Sequence, residues 1–162
     1  MNDDQAKDDI YIHTDLETAI LQENKEIYNS LIEDADLQHR SDNGSNLLHK
    51  AAFSGAIEIA SGLIERGVDI DAQDSEGSTP LHKAVKVENY ELAKLLVESG
   101  ANLHIEDVHG NQPLWRVVFK ANYEMTKVLL EHGTDPTHEN KHGASPPWFS
   151  SERRRREIHS AS

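Results

Sequence analysis

An all-α solenoid of stacked helix–turn–helix units, joined by β-turn or hairpin loops, is the fold this sequence predicts. Three observations predict it. Gly44, Gly77, Gly110 and Gly143 follow one another at intervals of 33 residues, and a fixed period of that length marks a repeat architecture. The residues around them repeat as well: Asn43-Gly-Ser-Asn-Leu-Leu-His49, Asp74-Ser-Glu-Gly-Ser-Thr-Pro-Leu-His82 and Asp107-Val-His-Gly-Asn-Gln-Pro-Leu-Trp115. Between them run apolar residues at i, i+4 and i+5, namely Ile59, Leu63, Ile64, then Leu92, Leu96, Val97, then Met125, Leu129, Leu130. That stripe belongs to an amphipathic helix with one buried face.

Alignment on the glycines divides the chain into about three full repeats, 41–73, 74–106 and 107–139, with two atypical caps. The first cap spans 14–40. Its Leu16, Ala19, Leu31, Ile32 and Ala35 match Leu48, Ala51, Leu63, Ile64 and Gly67 at an offset of 32, which predicts a helix pair over 14–35. Its acid-rich surface suits a terminal unit, whose outer face must be polar. Each full repeat should hold an inner helix, near 46–53, 79–86 and 112–119. The pairs Ala51-Ala52, Ala84-Val85 and Val117-Val118 let neighbouring inner helices approach. An outer helix should follow near 57–65, 90–98 and 123–131, ending at Gly67, Gly100 or Gly133 in a left-handed conformation. The second cap, 140–150, opens with Gly143 but has Pro147 where leucine is expected, so it is truncated. One solenoid domain over 14–150 is thus flanked by an acidic tail, 1–13, and an Arg-rich tail, 151–162.

Local chemistry fits these elements. Thr79 is a good N-cap, and Pro80 sits at the first helical position, where its missing N–H costs nothing. The stretch Val68 to Gln73 is expected to be an extended arm. Gly55 can reverse the chain between its two helices; Glu88 and Ala121 stand at the same position in the next repeats, and Asn89 and Asn122 are expected to take the unusual angles instead. Gly62, inside an outer helix, should weaken it by roughly 1 kcal/mol relative to alanine.

Composition narrows the function. The 162 residues carry no cysteine, 16 basic and 29 acidic residues, and a net charge of −13. So acidic a surface is a poor match for nucleic acid, whose binding depends on neutralising phosphates, and for anionic membranes. Eleven acids fall within residues 1–41 against three cations, whereas Arg153 to Arg156 form a basic run at the other end. No stretch approaches the roughly 20 apolar residues of a membrane span, and the N-terminus lacks a secretory signal, so a cytoplasmic protein is expected. Acidity of this kind serves solubility, or steers the chain toward a basic partner.

No catalytic motif is present: no P-loop, no G-x-S-x-G, no H-E-x-x-H. Of ten histidines, His132, His138 and His142 lie close together, but on a helix end, an arm and a turn, without zinc-ligand spacing. Neither an enzyme, nor a cofactor, nor a metal site is expected.

The turn sequence Thr79-Pro-Leu-His82 resembles the T-P-L-H opening of the ankyrin repeat; Asn46-Leu47 and Gln112-Pro113 depart from it in the flanking units. The resemblance implies a structural hydrogen-bonding role for His49 and His82. Trp115 and Trp148 replace that histidine, to pack the last repeat against its cap or to form an aromatic patch with Phe119 and Phe149. The resemblance also implies a protein-binding module, gripping partners with turn tips and the exposed side of the inner helices. Those positions are Asp42, Asn43, Ser45, Phe53 and Ser54 in the first repeat and Ser75, Glu76, Ser78, Lys86 and Val87 in the second. The third contributes Val108, His109, Asn111, Trp115, Phe119 and Lys120.

The segment Gly110-Asn-Gln-Pro-Leu-Trp-Arg-Val-Val-Phe119 and the following Asn140-Lys-His-Gly-Ala-Ser-Pro146 further resemble small stand-alone bacterial ankyrin immunity proteins. These neutralise a toxin in the cytosol of its producer. That implies a protein monomeric when free, which binds and neutralises a cognate, basic antibacterial toxin. The alternative is a general cytosolic regulatory scaffold or inhibitor of another intracellular protein, an enzyme's regulatory subunit included.

Overall fold

The computed structural model describes residues 13–147. Trp148, Phe149, the arginine run and the acidic start of the chain lie outside the described residues. Among those described there are eight α-helices and no strand. They pair as α1 (13–21) with α2 (Lys25–Leu31), α3 (Leu47–Ser54) with α4 (Ile57–Glu65), α5 (Pro80–Lys86) with α6 (Tyr90–Glu98), and α7 (Pro113–Phe119) with α8 (Tyr123–Glu131). The inner helices α3, α5 and α7 pack side by side, as do the outer helices α4, α6 and α8. The six helices of the full repeats fall within about a residue of their expected positions, because period and capping specify them locally.

The core is the surface between the two layers. Leu48, Leu81 and Leu114 enter it at the start of each inner helix, and Leu63, Leu96 and Leu129 meet them from the outer helices, all at most 1% exposed. Small side chains set the inner-helix spacing: Ala51, Ala52, Ala84 and Val85 are fully buried. The first helix pair adds Leu16, Ala19, Ile20 and Ile32 to the same core, as the offset of 32 predicts. Ile64 and Leu130, at the edge of their stripes, are only partly buried.

Turns stack as the helices do. The N–H of Gly77 donates to Asp74 O at 2.9 Å and that of Gly110 to Asp107 O at 2.9 Å, closing each loop with a left-handed glycine (φ 68° and 79°). Ser75 N–H donates to Asn43 O, Val108 N–H to Glu76 O and Lys141 N–H to His109 O, at 2.8, 2.9 and 3.0 Å. A Cβ on Gly110 would lie 2.7 Å from the Lys141 nitrogen. Glycine at that position is therefore required twice over, by backbone angle and by the close approach of the next turn.

Two expectations are corrected. Asn89 and Asn122 do not take the left-handed angles (φ −83° and −84°); Glu88 and Ala121 do, at φ 63° and 55°. The asparagines are committed as N-caps: Asn89 Oδ1 accepts from Leu92 N–H at 3.1 Å and Asn122 Oδ1 from Met125 N–H at 2.8 Å. A cap residue needs negative φ, so the strain moves one residue upstream. The arm from Val68 to Gln73 is not continuously extended either, since residues 70–71 form a turn. Asp69 Oδ1 accepts from Asp71 N–H at 3.1 Å, and Asn102 and Asp135 repeat the bond to His104 and Thr137. Short side chains that bond the backbone two residues on favour such turns.

Candidate functional site

The face built by turn tips and inner helices begins with the capping of those helices. In α5, Thr79 Oγ1 accepts from His82 N–H at 3.3 Å, and Thr79 N–H donates to His82 Nδ1 at 3.2 Å. The other ring nitrogen of His82 meets Asn111 O at 3.0 Å; in α3, His49 Nε2 likewise meets Ser78 O at 2.8 Å. A carbonyl only accepts, so Nε2 carries a proton; Nδ1 accepts from the N–H of Thr79 in His82 and of Asn46 in His49, so it carries none and the rings are neutral. Burial, the largest influence, pushes both imidazoles below their ordinary pKa. Each histidine thereby caps its own helix and ties it to the next turn, the structural role expected of it.

Trp115 occupies the same position in α7 and reaches the same kind of acceptor. Its Nε1–H donates to Ala144 O at 3.3 Å, 29 residues on, as His49 and His82 do. Its ring stacks on Phe119, with centroids 6.2 Å apart. The tryptophan therefore packs toward the fourth turn and contributes to an aromatic surface at once. Because it cannot supply the histidine's acceptor nitrogen, α7 has no capping box, and Gln112 makes no side-chain cap.

The positions expected to meet a partner divide by environment. Asp42, Asn43, Ser75, Glu76, Val108 and His109 stand exposed on the turn tips, and Phe53, Lys86, Val87, Phe119 and Lys120 on the ends of the inner helices. Phe53 and Phe119 are 62% and 64% exposed. Ser54 is half-buried, its Oγ–H meeting Ile20 O at 3.2 Å, and Asn111 and Trp115 are half-buried too. Ser45 and Ser78 depart from the expected exposure. Both are buried, because each loop closes through its carbonyl: Ser41 N–H donates to Ser45 O and Asp74 N–H to Ser78 O. Their side chains present little to a partner.

One residue of this face was missed. Leu21, 43% exposed, ends α1 at the register of Phe53, and the offset of 32 that matched Leu16 to Leu48 would have found it. Leu21, Phe53 and Val87 border one open groove of about 350 Å³. Val108, Trp115 and Phe119 border a second, of about 340 Å³, between the second and third turns.

The outer helices carry more acids than cations: Glu58, Glu65, Glu91, Glu98, Glu124 and Glu131 are exposed there, with Lys94 and Lys127 paired to Glu98 and Glu131. The inner-helix face carries Lys50, Lys83, Lys86, Arg116 and Lys120. Lys50 Nζ lies 3.1 Å from Glu17, and Lys83 Nζ 2.7 Å from the buried carboxylate of Asp74. Burial raises the Asp74 pKa, but Lys83 and the amides of Ser78 and Glu76 outweigh it and hold the acid below its ordinary value. The inner helices α3, α5 and α7 thus contribute cations and no acid to this face, while its turn tips keep the exposed acids Asp42 and Glu76.

Among the described residues no three histidine or acidic side chains converge as a metal site. His138 Nε2 meets Gly110 O and Glu106, both at 3.2 Å, while His132 Nδ1 lies 2.8 Å from its own helix carbonyl at Val128. No helix among the described residues is long and apolar enough to cross a membrane.

A family model described as ankyrin repeats (3 copies) matches residues 16–107 and again 75–140. No curated protein matches the chain.

Proposed function

The chain belongs to the ankyrin-repeat family, a scaffold for protein interaction, and from that premise we propose that it is an immunity protein. It captures a basic antibacterial toxin in the cytosol of the producing cell and neutralises it by occlusion. The observation that carries this reading is the pair Phe53 and Phe119, each more than 60% exposed at the ends of inner helices. Large aromatic side chains held in water on a rigid frame are the usual anchors of a protein interface. Occlusion needs no catalytic group, only a face of this kind.

Charge supports a division of labour. The exposed glutamates of the outer helices and the net −13 act at range, raising the rate of encounter with a basic protein. The apolar residues and cations of the inner-helix face make the short-range contacts that set dissociation.

Co-expression with the product of the adjacent gene tests the proposal. Wild-type protein protects the cell, and association slows as salt rises, since the Debye length falls to about 8 Å at physiological ionic strength. Phe53→Ala/Phe119→Ala keeps its circular dichroism spectrum, dissociates faster and protects less. Full protection by the folded double variant moves the interface off the inner helices. Failure of the wild-type protein to bind or protect against a neighbouring gene product removes the immunity role and leaves a general regulator.

A further inference from the structure

Lys50, Lys83 and Arg116 occupy one register of the inner helices, 33 residues apart, and the first two are neutralised. Lys50 pairs with Glu17, and Lys83 with Asp74 and Glu76. The third register breaks the pattern. His109 stands where Glu76 stands, so that acid is gone. Asp107, the counterpart of Asp74, closes its turn in the same way, Oδ1 accepting from the N–H groups of His109 and Asn111 as Asp74 Oδ1 does from Glu76 and Ser78; the two acids differ at Oδ2, which meets Lys83 Nζ in Asp74 but Asn111 Nδ2, at 3.4 Å, in Asp107. Arg116 is exposed and, among the described residues, makes no ion pair.

Arg116 borders a groove whose apolar wall is formed by Trp115 and Phe119. Glu76 also borders the groove, but it is engaged with Lys83 at 3.3 Å and faces Lys86 at 3.7 Å.

We propose that this groove reads a carboxylate: it takes a partner segment that lays an Asp, Glu or C-terminal carboxylate on Arg116 and an apolar side chain against Trp115 and Phe119. A guanidinium fork matches a carboxylate bidentately where a lysine offers only a point charge, which suits arginine to the one register left unpaired. The inference rests on the protein-binding reading and deepens it, naming the chemistry of the contact. It is compatible with a partner that is basic overall, because a single acidic residue on the contact loop satisfies the site.

Selection from a random-peptide phage library against the wild-type protein, Arg116→Lys and Arg116→Glu tests it, each variant first shown to be folded by circular dichroism. The wild type enriches peptides with an acidic residue beside an aromatic or aliphatic one. Arg116→Lys keeps the preference in weaker form, and Arg116→Glu loses it. A fluorescein-labelled copy of the best peptide, read by anisotropy, binds Arg116→Glu about tenfold or more weakly, as expected for loss of a charge-assisted bond. Enrichment of no peptide, or acidic enrichment retained by Arg116→Glu, overturns the proposal. Self-association of the wild type that Arg116→Glu abolishes also overturns it, by making the occupant a second copy of this chain. Arg116→Glu that still binds the toxin while Phe53→Ala/Phe119→Ala does not leaves the immunity role standing without the carboxylate subsite.

Discussion

At the residue scale His49 and His82, both buried in the inner helices, make the stack depend on pH. His49 and His82 are held neutral below their ordinary pKa of about 6.5, so the unfolded chain takes up protons first. Stability is complete above about pH 7 and falls as pH drops through 6.5 toward the folded values. Asp74, whose pKa is lowered, adds a second loss: its contribution is present above the unfolded 3.8 and vanishes as pH falls through the folded value. Thermal melts from pH 8 to pH 3 should show a plateau and then two declines; a melting temperature constant down to pH 4.5 would mean that neither imidazole is held neutral. Ala121 offers a separate test. A left-handed alanine costs roughly 1–2 kcal/mol, offset in part by the entropy that glycine loses on folding. Ala121→Gly should therefore raise stability by up to about 1 kcal/mol, read from the urea midpoint. A drop would show that the position bears no strain.

At the element scale α4 is the helix with an internal defect. Gly62 lies under Tyr28 of α2, and a Cβ built there would meet only the Tyr28 hydroxyl, at 3.8 Å, an ordinary contact. The backbone there is helical, so nothing requires glycine. Gly62→Ala should stabilise the protein by about 0.5–1 kcal/mol, and an unchanged or lowered urea midpoint would mean that α2 needs the room. The ends of the outer helices are sounder. Val68 N–H donates to Leu63 O, and Ala101 and Thr134 repeat the bond to Leu96 and Leu129, at 3.0 to 3.2 Å, each next to a left-handed glycine. That closure satisfies carbonyls the helix would otherwise leave open.

At the scale of the whole molecule, stability is carried by nearest-neighbour interfaces. Leu81 is fully buried in α5, which packs on both α3 and α7. Leu81→Ala should cost about 2–5 kcal/mol through lost burial and the cavity left behind. Because α5 joins its neighbours, the loss should also lower hydrogen-exchange protection in α3 and α7. Protection reduced in α5 alone would show that the repeats open independently.

The helix positions, the turn glycines and the buried leucines were legible in the sequence because each follows from period 33 combined with a local rule for capping or burial; the structural role of His49 and His82 was legible only through the resemblance of their turns to the ankyrin repeat. Trp115, read as the histidine's replacement, keeps the histidine's bond to the next turn. What only the tertiary structure decided is how neighbours share their atoms. Whether Asn89 caps a helix or bends the chain depends on which amide comes within its reach. Whether a cation on the inner helices is free depends on where the acid of its own turn is directed: Asp74 serves Lys83, whereas Asp107 serves Asn111 and leaves Arg116 without an ion pair among the described residues. Periodic signals along a chain report the repeating environment; a binding face arises where repeats differ, as where Asp74 holds Lys83 and Asp107 turns to Asn111 instead.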